Sequence, residues 1–117
     1  MNHEERKVAK IVEELTIYFF SVGASQIYSS IEREEGNATI TVKANYDIRY
    51  REELENLDIY LNGPKNDGME DVYWELAGSG NLGETSELLL VGMMVDEAEI
   101  RIGEDFVEVR MEKEAFR

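Results

Sequence analysis

Apolar residues recur at helical spacing near the start of the chain. Val8, Ile11, Val12, Leu15, Tyr18, Phe19 and Val22 fall three or four positions apart up to Gly23, the pattern of one long amphipathic helix ended by a glycine. Asn2 and Glu5 have the spacing of a reciprocal capping pair at its start. From Ser25 to Glu34 and from Ala38 to Tyr46 the period falls to two, with Ile27 and Ile31 on the first segment and Ile40, Val42 and Ala44 on the second. Glu35-Gly36-Asn37 supplies the turn between them, so these segments predict a hairpin.

Tyr50, Leu54, Leu57 and Leu61 mark a second helix that must stop before Asn62-Gly63-Pro64, where glycine and the single proline break it. Pro64 to Gly68 reads as loop, and Met69 to Leu76 as a short helix carrying Val72, Trp74 and Leu76. A further helix starts near Ser86 with Leu88, Val91, Met94 and Val95 inward. Ala98-Ile100-Ile102 and Val107-Val109-Met111 then form a second hairpin about Gly103-Glu104-Asp105. This order predicts a single domain spanning residues 1–117. It is an α+β two-layer sandwich, a mixed four-stranded sheet of two hairpins with about three helices on one face. Thr39, Thr41 and Lys43, with Glu108, Arg110 and Glu112, belong to the solvated face.

Composition narrows the function more than the fold. A chain of 117 residues buries roughly two thirds of its unfolded surface, enough for a core without staples. The net charge of −14, from 12 basic against 26 acidic residues, weighs against nucleic acid and against an anionic membrane surface. Without cysteine there is no disulfide, thiol nucleophile or thiolate metal site. The polar start MNHEERKVAK lacks the apolar stretch of a signal peptide, and Leu88 to Val95 is far short of the ~20 residues that span a bilayer, so a cytoplasmic protein is expected.

The segment with most chemical promise is GSGNLGETSELLLVGMMVDEAEIRI, Gly78 to Ile102, in which a glycine-rich turn feeds a helix and then a strand. Such a turn can set backbone N–H groups against a phosphate. Yet no Lys or Arg lies between Lys65 and Arg101, while Glu70, Asp71, Glu75, Glu84 and Glu87 all do. A triphosphate there would need a metal ion to screen it. His3, the single histidine, sits at the chain start and suggests no metal or catalytic role.

The order of elements and these local words resemble the histidine-kinase-like ATPase (GHKL) superfamily, particularly its small stand-alone members of the anti-sigma-factor serine-kinase kind. The resemblance covers nearly the whole chain. It implies a helix in which a Glu that polarises water or a hydroxyl precedes a magnesium-holding Asn by four residues; Glu14 and Tyr18 occupy those places. It implies an Asp after the second strand that reads adenine, followed by spaced glycines; Asp47 is present, followed by Ile48-Arg49-Tyr50. It implies a glycine-rich lid, whose spacing Gly78, Gly80 and Gly83 match. The tail from Leu90 to Lys113 resembles the family's closing helix and hairpin. A phenol on an apolar helix face is a poor ligand for magnesium, which demands hard oxygens in octahedral geometry.

Two functions from different classes follow. The first is a degenerate, non-catalytic ATPase-like domain acting as a regulatory or scaffolding protein-interaction module. It has no catalytic residue, no metal and no expected cofactor; it meets a protein partner but neither nucleic acid nor membrane, and a homodimer is left open. The second is an ATP-binding serine kinase with magnesium, Glu14 as base, Asp47 on adenine and Gly78, Gly80 and Gly83 on phosphates. Glu14 can instead pair with Lys10, one turn away. Among the aromatic residues, Phe20 is expected to emerge from the one-sided face of the first helix, and Trp74 is the next candidate.

Overall fold

A computed structural model describes residues 3–63 and 84–114. Helix α1 (His3–Ser21) is followed by strands β1 (Ile27–Glu34) and β2 (Asn37–Asn45). A single 3-10 turn (Ile48–Tyr50) leads into α2 (Arg51–Leu54) and α3 (Leu57–Asn62). Helix α4 (Glu84–Met94) then precedes strands β3 (Glu97–Ile102) and β4 (Phe106–Lys113). The strands form one sheet in the order β1-β2-β4-β3. Both hairpins fall where the period-two pattern puts them, and the α+β class with helices against a four-stranded sheet is the architecture found.

The sheet departs from the expectation in being antiparallel throughout and not mixed. Each hairpin is closed by a short turn, and the hairpins meet through β2 and β4, with Val42 opposite Val109. The long helical connection between the hairpins would permit either sense at the β2–β4 seam, and the register runs antiparallel there as well. The β1–β2 turn consists of Glu35 (φ 31) and Gly36 (φ 88). Left-handed conformation at both turn residues gives the twist that suits a two-residue hairpin.

Alternate residues of the two central strands, Ala38, Ile40, Val42 and Ala44 on β2 with Val107, Val109 and Met111 on β4, are buried under the helices. Helix α1 contributes Val8, Ile11, Leu15 and Phe19, with Val22 just past its end, and α4 contributes Leu88 and Val91, with Val95 just past its end. Helix α1 ends as its glycine predicts. Ala24 N–H donates to Phe19 C=O at 3.0 Å and Gly23 N–H to Phe20 C=O at 3.1 Å, with Gly23 at φ 87. That is the paired hydrogen bonding of a Schellman cap, with buried Ala24 packed back under the last turn.

The predicted second helix is divided. Glu55 and Asn56 donate to carbonyls three residues back, at Glu52 and Glu53, and this tightened turn separates α2 from α3. Three-residue spacing keeps Leu54 and Leu57 on one side, and both are fully buried. Glycine has a second use in α4: a Cβ on Gly92 would lie 2.5 Å from Tyr60 O and 2.9 Å from Leu61 O, so α3 and α4 cross at backbone contact. No helix among the described residues is long and apolar enough to cross a membrane.

Gly92→Ala gains up to ~1 kcal/mol of helix propensity. Crowding at the crossing outweighs it, and a net loss of about 1 to 3 kcal/mol is expected. Denaturant unfolding measures the difference, and unchanged or increased stability would contradict so close a crossing.

Candidate functional site

The first candidate region runs along α1. Glu14 is 7% exposed and forms an ion pair with Lys10 Nζ at 2.8 Å. The carboxylate raises the pKa of the Lys10 ammonium by hydrogen bonding and then by charge. Glu14 also lines a groove of ≈ 430 Å³ between α1 and α4, whose other walls include Leu90, Val91, Met93 and Met94. The groove is therefore apolar, with an ion pair at its edge.

One turn further on, Tyr18 is buried at 5% exposure and packs edge-to-face on Phe19, with ring centroids 5.8 Å apart. Its hydroxyl donates to the Glu53 carboxylate on α2. Tyr60 on α3 donates to the other oxygen of the same carboxylate at 3.1 Å. Burial, and then the hydrogen bond to Glu53, push the Tyr18 phenol well above its ordinary pKa, so it stays neutral and donating. Two phenols thus hold one half-buried carboxyl group, a hydrogen-bonded link between α1, α2 and α3.

Asp47 caps the 3-10 turn. Its carboxylate accepts from Arg49 N–H at 3.0 Å and from the Arg49 guanidinium, the shortest contact being 2.7 Å from Nη2. The Arg49 side chain, followed by the Arg49 backbone N–H, pulls the Asp47 pKa down to about 2. Its backbone is fixed as well, Asp47 N–H donating to Val22 C=O at 2.9 Å, where Gly23 leaves room for it. Next to it, Tyr46 donates its hydroxyl to Gly103 C=O at 2.6 Å, and Arg51 reaches the same carbonyl at 2.8 Å. These bonds tie the end of β2 to the β3–β4 turn.

Asp47 lies beside the C-terminal end of α1, whereas Glu14 is seven residues before that helix ends at Ser21. At about 1.5 Å per residue this separates the two by on the order of 10 Å along the axis, with Tyr18 between them. The groove at Glu14 does not include Asp47. Gly78, Gly80 and Gly83 lie outside the described residues, as do Tyr73 and Trp74 and the short helix expected over Met69–Leu76. Among the described residues no group of three or more His, Asp or Glu is placed to hold a metal ion. Phe20 is 62% exposed, as expected from the helical wheel.

Glu53 was not singled out by sequence reasoning. Its spacing was visible all the same: Glu53, Leu57 and Tyr60 fall at positions i, i+4 and i+7, along one side of a helical segment. Arg49 and Arg51 passed unnoticed because their partners lie in turns. Comparison with profiles of known families, with curated proteins and with solved structures finds no match to this chain.

Tyr18→Phe keeps the ring but removes one donor from a part-buried carboxylate, at an expected cost of about 1 to 3 kcal/mol. Tyr18→Ala, which also deletes the ring, is expected to cost about 2 to 4 kcal/mol. Chemical denaturation separates the two, and a loss below ~1 kcal/mol for the alanine variant would mean that the ring is not core.

Acid titration reads Asp47. Its pKa falls from 3.8 in the free side chain to about 2 when folded, so its stabilising contribution is present above the unfolded value and is lost as pH falls toward the folded one. Asp47→Asn should therefore flatten the decline of melting temperature between pH 4 and pH 2 relative to the parent. An equally steep decline in both proteins would deny the Arg49 contact that role.

Proposed function

We propose that this chain is a non-catalytic, ATPase-like regulatory or scaffolding module that acts by contacting another protein. The observation that supports the reading is the buried Tyr18 side chain. It stands where the resemblance assigns the magnesium-holding residue, and its hydroxyl is committed to Glu53. A neutral phenol so placed offers no open coordination position to a hard cation. The commitment of Asp47 to Arg49 supports it further, since a carboxylate already accepting from a guanidinium and a backbone N–H must give up those bonds to read a base.

The acidic balance and the exposed apolar residues Phe20 and Ile17 on α1 suit a protein partner that presents basic and apolar groups together. Such a module would hold its partner by surface contact alone, with no phosphate transferred.

Thermal-shift titration with adenosine triphosphate and magnesium tests the reading. A ligand at ~100 times its dissociation constant adds about 2.7 kcal/mol and moves the midpoint by several degrees. A flat response into the millimolar range is expected. A saturable, magnesium-dependent rise would overturn the reading in favour of the serine kinase, with Glu14 as its base and Asp47 at the nucleotide.

A further inference from the structure

The two edges of the sheet are finished differently. At the β3 edge, the Asn62 side chain donates to Ala98 C=O at 2.8 Å and accepts from Ala98 N–H at 3.0 Å. This amide occupies both main-chain groups that an incoming strand would use at that residue. At the other edge, β1 is exposed on both faces from Tyr28 to Glu34. It runs eight residues in unbroken register with β2, without bulge or proline. Long edges of this kind are templates for strand addition.

The hydrogen-bond phase shows which groups β1 offers. Asn45 N–H donates to Gln26 C=O, and Glu34 and Asn37 flank the two-residue turn. Even-numbered residues of β1 therefore exchange main-chain bonds with β2, and Ile27, Ser29 and Ile31 turn their N–H and C=O groups outward. Their side chains lie on the helix side of the sheet, opposite Ala44, Val42 and Ile40. Helix α1 covers those β2 partners completely but leaves Ile31 at 49% exposure.

We propose that β1 is a homodimer interface. It pairs antiparallel with β1 of a second copy about a two-fold axis through Ser30, making one eight-stranded sheet. An axis normal to the sheet keeps the helices of both copies on the same side, and this requires facing residues of equal parity. Centring on Ser30 sets Ser29 against Ile31 of the second copy and the reverse, giving four main-chain hydrogen bonds. The two Ile31 side chains then lie diagonally across the seam, within contact reach on the helix side. On the other face Tyr28 meets Glu32 of the second copy and Ser30 meets Ser30.

A second copy is the occupant because the strand is complementary to itself: in this register no two like charges stand directly opposite, and the uncovered apolar residue meets its own equivalent near the axis. The opposing influence is the net charge of −14 on each chain, which is screened beyond a Debye length of about 8 Å at physiological salt. The dimer does not depend on whether a nucleotide binds.

Sedimentation velocity from low micromolar to millimolar protein tests the proposal. A monomer–dimer equilibrium that tightens as salt is raised is expected. Ser29→Pro removes an outward N–H while leaving the β1–β2 bonds intact. It should raise the dimer dissociation constant by about tenfold or more at unchanged melting temperature. Ile31→Lys, which places like charges near the axis, should do the same and serves if the proline variant does not fold. Ser30→Cys, the sole thiol in the chain, should form a disulfide-linked dimer on mild oxidation, while Glu108→Cys on the solvated face should not. A monomer at every concentration, a dimer weakened by salt, a dimer indifferent to both Ser29→Pro and Ile31→Lys, or equal cross-linking at the two cysteine positions would overturn the interface.

Discussion

Everything in this fold depends on the pairing of β2 with β4. The strands come from hairpins far apart in sequence, yet they lie side by side at the centre of the sheet with Val42 opposite Val109 and Ile40 opposite Met111. Neither hairpin alone could bury its apolar face, since two strands in water are marginally stable at best. Joined, they present a continuous apolar floor that α1 and α4 can roof. The entropy of closing so long a loop is recovered only when that floor and its roof form together, which makes the domain cooperative.

Polar groups then fix how the roof sits. Lys113, at the end of β4, donates to Met94 C=O at 3.0 Å, at the C-terminus of α4, and pairs with Glu4 in the first turn of α1 at 3.0 Å. The hydrogen bond from Lys113 holds the Glu4 carboxyl below its usual pKa. A cation at a helix C-terminus opposite a carboxylate at a helix N-terminus is favoured by both helix dipoles. With the Glu53 carboxyl group held by two tyrosines at the opposite end, α1 is pinned near both termini by polar contacts to other elements.

Features set by neighbours in sequence were legible in advance. The stripe along α1, the glycine at its end and a turn at Gly36 each follow from a local rule and each is found, although the turn is Glu35-Gly36 alone, with Asn37 already paired in β2 and not part of the expected three-residue turn. The exposure of Phe20 follows from the helical wheel in the same way. Features that depend on which element lies alongside were not legible. Ile31 has the correct parity for the core side, but α1 lies over β2 and leaves it half exposed. The second helix carries an uninterrupted apolar stripe with Leu54 and Leu57 both buried, yet its middle is tightened into a different turn. Of the candidate site, the Lys10–Glu14 pair could be read from i, i+4 spacing, whereas the bond from Tyr18 to Glu53 joins residues on separate helices, and spacing along either helix alone does not pair them.

The asymmetry of the two sheet edges has a consequence for solubility at high concentration. Sheets with two open edges can grow without limit, each added chain presenting a fresh edge to the next, which is the geometry of fibrils. Here Asn62 spends its amide on the backbone of Ala98, so one position of the β3 margin is already occupied by the chain's own side chain. A strand approaching β3 must first displace that amide, which biases joining toward the β1 margin. One asparagine on a short helix therefore weighs against growth of the sheet from its β3 margin.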